Sequence, residues 1–131
     1  MARTKRYWRW KMAERLAARK RRMEGRNADE ATYEEIEEAN RLVWRLCRLA
    51  NDNGRNTERS NDVFWMETPW RAKKVDKDID RWIEREREIS GLFESEYGCK
   101  VDWPGCYPTV YAINDGRFGP DAGMLDICEM Y

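Results

Sequence analysis

A chain of 131 residues is long enough for one domain with its own core. Charged residues make up 38% of it, yet the formal net charge is zero and seven tryptophans are present, which describes a folded protein with a heavily charged surface rather than a disordered one. No run approaches the roughly 18 apolar residues of a membrane span, and the absence of histidine excludes His-based triads, His general bases and His metal ligands together.

The charge is unevenly spread. Between Met1 and Arg26 stand eleven Lys or Arg against Glu14 and Glu24, a net +9; the other 14 basic and 23 acidic residues leave the remainder at −9. The basic segment lacks the apolar stretch of a signal peptide and the serines of a transit peptide, so a cytoplasmic protein with reduced cysteines is expected. Within it, Tyr7 to Glu24 is built of strong helix formers. Met12, Leu16 and Met23 make a thin apolar stripe, with Trp8 at its edge. Lys11, Arg15, Arg19, Arg22 and Arg26 fall beside the stripe within roughly a quarter of the helix circumference.

The strongest element is Thr32–Ala50. Tyr33, Ile36, Asn40, Val43, Cys47 and Ala50 recur at three- and four-residue steps, and Leu42, Leu46 and Leu49 widen the stripe. Thr32 and Glu35 have the spacing of a capping box. Glu34, Glu35, Glu37 and Glu38 suit the positive end of the helix dipole, and Arg41, Arg45 and Arg48 the negative end. Gly54 is the expected stop, and the polar residues 51–62 read as a loop. Val63–Met66 is a strand or an extended segment, closed by Pro69. A third helix is expected from Val75 to Tyr97, with Val75, Ile79, Trp82, Ile83, Ile89, Leu92, Phe93 and Tyr97 on one face; Gly91 weakens it and Gly98 ends it. Ile36, Val43, Leu46, Trp82, Ile83, Ile89 and Phe93 are the expected core.

From Cys99 onward prolines and glycines replace helix formers. Thr109–Ile113 reads as a strand, Asn114-Asp115-Gly116 as a hairpin turn, and Met124–Met130 as its pairing partner. The fold class is therefore α+β: about three helices followed by a small C-terminal antiparallel sheet. One domain spans 1–131, with 1–26 a basic helical arm and 99–131 a small β-rich part.

Motifs that carry chemistry are few. No GxGxxG, P-loop or GxSxG occurs, so no enzyme and no cofactor is expected. Asp76, Asp78 and Asp80 begin like a calcium loop, but Arg81 stands where its glycine belongs and Arg87 where its bidentate glutamate belongs; Asp76 or Asp78 as a helix-capping acid is the simpler account. Cys47, Cys99, Cys106 and Cys128 contain no CxxC knuckle, so buried thiols are expected and no metal. The glutamates of 34–38 need no explanation beyond a solvated helix start.

The basic segment carries the functional expectation. Its cations can neutralise phosphates, and Tyr7, Trp8 and Trp10 can stack on unpaired bases. The expected binding residues are Tyr7, Trp8, Trp10, Lys11, Arg15, Arg19, Arg22 and Arg26. Two other uses compete: folding back onto the acidic remainder of the chain, or docking on an acidic protein. The expectation is a binding protein that engages nucleic acid or a nucleic-acid-handling protein, without membrane association. By composition alone the chain resembles phage and mobile-element accessory proteins, including anti-defence inhibitors of host nucleases. The alternative is a structural or assembly protein whose helices pack on copies of itself or on neighbouring subunits.

Overall fold

The computed structural model describes residues 4–66, 69–105, 107–113 and 124–126, with only the backbone of 59–66, 69–72 and 124–126. Three helices precede a small antiparallel sheet: α1 Lys5–Met23, α2 Tyr33–Met66, α3 Pro69–Tyr97, then β1 Cys99–Asp102, β2 Thr109–Ala112 and β3 Met124–Asp126. A short 3-10 turn, Ala28–Glu30, links α1 to α2.

Local chemistry sets the helix ends. The Thr4 hydroxyl accepts the Tyr7 N–H at 3.3 Å and starts α1. Gly25, at φ 71°, follows its end; Arg26 N–H donates to Arg21 O at 2.8 Å and Gly25 N–H to Arg22 O at 3.1 Å, the paired bonds of a Schellman closure. At α2 the expected capping box forms, with Glu35 N–H on the Thr32 hydroxyl at 3.2 Å. Pro69 opens α3, where its missing N–H costs nothing. Gly98 ends α3 at φ 59°, and a Cβ there would meet Met23 Sδ at 3.0 Å. Both the left-handed backbone and the close approach favour glycine at that position.

The core is one buried cluster drawn from every helix and from the sheet. Met12, Ala13 and Leu16 come from α1, Ala39, Val43, Leu46 and Leu49 from α2, Ile89, Phe93 and Tyr97 from α3, and Cys99 and Val110 from the strands. Burying a side chain such as Leu46 or Phe93 contributes about 1.5–3 kcal/mol. β2 is the central strand, pairing Val110 with Val101 on one side and with Leu125 on the other.

Several expectations are corrected. Residues 51–62 are not a loop and Gly54 is not a stop: α2 continues to Met66, so Val63–Met66 is helical as well. Weak helix formers are carried here by tertiary contacts: Asp52 pairs with Arg85 of α3 at 3.0 Å, and Trp82 Nε1 donates to Leu49 O at 2.7 Å. α3 accordingly begins at Pro69, not Val75, so Asp76 and Asp78 lie inside the helix and do not cap it. Ile83 is exposed rather than buried, because it stands about 100° round the helix from Trp82. Ile36 and Trp82 pack against the core but stay partly exposed. β1 is an additional strand beside the expected pair. The Asn114–Gly116 turn, Cys106, Cys128 and the end of the expected third strand lie outside the described residues.

Candidate nucleic-acid interface

α1 is not a detachable arm. Met12, Ala13, Leu16 and Ala17 place one of its faces in the core, and three arginines are buried with them: Arg9, Arg19 and Arg21. The fold divides the basic residues of α1 into two groups.

The first group faces inward at the C-terminal half. Arg19, expected in the surface ridge, is only 3% exposed. It donates from Nε to Tyr97 O at 2.8 Å, and from one terminal nitrogen to Gly98 O at 3.0 Å and Ile113 O at 2.7 Å. These are carbonyls at the end of α3 and just past β2, where a cation also meets the negative end of the helix dipole. Arg21 grips both oxygens of Glu35, with its Nε at 2.7 Å from Oε2. That hydrogen bond, with further bonds from Thr32, holds the Glu35 carboxyl down at about 2. Lys20 reaches Glu96 of α3 at 2.7 Å, and this bond raises the pKa of the lysine. Arg19, Lys20 and Arg21 are thus each engaged by acceptors within the chain.

The second group faces outward. Trp8 is 39% exposed and meets half-buried Tyr7 edge to face at 5.3 Å. Lys11 is exposed, 5.6 Å from the Tyr7 ring centroid and 3.2 Å from Glu14. Arg15 is exposed one turn further on. Arg22 is half-buried, and exposed Arg26 lies 3.2 Å from Glu24. Trp10 is half-buried on another side of the helix, tilted on Tyr33 at 5.4 Å. Tyr7, Trp8, Lys11 and Arg15 are therefore brought together as a surface strip; Arg19 and Trp10 are turned away from it. Trp8 to Arg22 spans about 21 Å at 1.5 Å per residue.

Sequence reading missed Trp44 and Arg48 on α2. The Arg9 guanidinium carbon lies 3.7 Å from the Trp44 ring centroid, and that of Arg48 lies 6.0 Å from it. The available signal was the spacing of Arg41, Trp44 and Arg48, which sets a tryptophan between two arginines on one helical face.

Other chemistry is sparse. Cys47 and Cys99 are buried thiols outside any disulfide, and burial pushes both up to about 11. Among the described residues, no group of three or more Cys, Asp or Glu is arranged to hold a metal ion, and no helix is long and apolar enough to cross a membrane.

The fold and surface define a three-helix α+β chain with a cationic and aromatic face. Comparison with models of protein families, with curated proteins and with solved structures finds no match to it.

Proposed function

We propose that this chain is a non-enzymatic binding protein that engages nucleic acid through the outward strip of α1. The observation that carries the reading is the strip itself: exposed Trp8, Lys11 and Arg15 share one side of a helix that buries Met12, Ala13, Leu16 and Ala17 on another. Cations along a helix meet a row of phosphates, and a neighbouring indole meets a base. The two buried thiols near 11 are not nucleophiles at neutral pH, which favours binding over covalent catalysis. Arg19, Lys20 and Arg21 are excluded from the contact because the fold has already engaged them.

The test is a salt titration on single-stranded and duplex probes. About three phosphate contacts, from Lys11, Arg15 and Arg26, give a slope of log K against log[salt] near −2 for single strands and about −2.7 for duplex. A Lys11→Gln/Arg15→Gln/Arg26→Gln variant should lose most of that slope. No shift of either probe at low salt would end the reading. Capture of a protein from a lysate after nuclease treatment would replace it with a nucleic-acid-handling partner. Melting that depends on protein concentration would point to the assembly role instead.

A further inference from the structure

Trp44 stands on α2, away from the strip of α1, and its surroundings are more specific. One face of its indole lies on Arg9, whose guanidinium carbon is 3.7 Å from the ring centroid. Arg9 is only 8% exposed. The indole therefore covers the guanidinium, while Trp44 itself stays 40% exposed. A cation held under the ring fixes the plane of the indole. Exposed Arg48 follows one helical turn later, its guanidinium carbon over the same ring at 6.0 Å from the centroid.

A pre-oriented, partly exposed aromatic ring with a second, exposed cation within 6.0 Å of its centroid matches one nucleotide unit: the base lies on the ring and the phosphate meets the guanidinium. Paired bases in a duplex are stacked on one another and turn only their edges outward. We propose that Trp44 and Arg48 form a site for one unpaired nucleotide of a single-stranded nucleic acid, with Trp44 as the stacking platform and Arg48 as the phosphate contact. The proposal rests on the nucleic-acid reading of α1 and adds the preference for single strands.

The experiment measures binding of the full chain to a labelled oligothymidine and to a labelled duplex, at low salt and across a salt titration. Trp44→Leu should weaken the single strand by about tenfold or more and change the duplex by less than about twofold. Trp44→Phe should recover most of the loss. Arg48→Gln should lower the single-strand salt slope by about 1. Thermal melts of each variant establish folding, and Arg48→Gln supplies the test if Trp44→Leu does not fold. Single-strand binding by Trp44→Leu as tight as that of the parent chain, or equal losses on both probes, would overturn the site and leave the α1 reading standing. An Arg48→Gln slope equal to the parent's would overturn the phosphate contact. Failure of the parent chain to bind either probe would remove both readings. Loss of self-association in Trp44→Leu with unchanged nucleic-acid binding would assign the ring to a protein contact and overturn the proposal.

Discussion

In the C-terminal half of α1, Arg19 is surrounded by three backbone carbonyls and Arg21 grips Glu35; in the N-terminal half, Lys11 and Arg15 stand at the surface beside Trp8. Both halves are rich in arginine and lysine. What differs is the neighbour. The C-terminal half meets the carbonyl end of α3 and the acidic start of α2, which accept cations. The N-terminal half meets no such end, and Arg9 is accommodated under an indole. A run of like charges thus divides into internal fasteners and an external surface according to what the fold sets opposite each turn.

The sharpest way to break that contrast is to treat α1 as an arm. Leu16→Ala, in its fully buried face, should cost about 2–5 kcal/mol, measured by urea unfolding; a loss of a few tenths would mean that α1 docks only loosely. Next comes the arginine pair. Arg19→Met should cost about 3 kcal/mol, since charged hydrogen bonds to buried carbonyls are lost, whereas Arg15→Met should stay within about 0.5 kcal/mol. Equal costs at both sites would erase the distinction between inward and outward turns.

Smaller and pH-dependent is the Arg21–Glu35 contact. Its folded carboxyl sits at about 2, below an ordinary value of 4.5. A depressed carboxylate contributes stability that is complete above 4.5 and fades as pH falls toward 2. The stability gap between the parent chain and Arg21→Gln should therefore be wide at pH 6 and narrow near pH 2.5. A gap that does not change with pH would remove the ion pair from the account. The smallest effect tests the length of α2. Gly54 is helical and an added Cβ meets nothing within 4 Å, so Gly54→Ala should stabilise by about 0.8–1 kcal/mol. No gain, or a loss, would restore the break that composition suggested there.

Much of the helical framework was legible. Periodicity marked the buried face of residues 32–50, the capping box at Thr32–Glu35 forms, and Gly98 ends α3 in the left-handed conformation that only glycine adopts without strain. The Thr109 strand pairs with Met124–Asp126 as its alternation implied. Residues 51–62 were misread because asparagine, aspartate and glycine favour turns, and the contacts that outweigh them come from α3, far along the chain. Within the candidate interface, Tyr7, Trp8, Lys11 and Arg15 were identifiable from their spacing. Arg19 was not separable from them, since it lies within the same quarter-turn and its acceptors are 78 to 94 residues away.

By itself the sequence determined the period-3.6 stripe of residues 32–50, the Thr32–Glu35 capping box, the absence of histidine and the excess of positive charge before residue 27. Those properties depend on residues within a turn or two of each other, or on composition alone. The tertiary structure decided which cations are consumed, how far α2 extends, and that an indole on α2 covers an arginine of α1. Each of these depends on a partner brought close only by packing, because a charge or a ring has no fixed role until the fold supplies the carbonyl, carboxylate or open solvent that faces it.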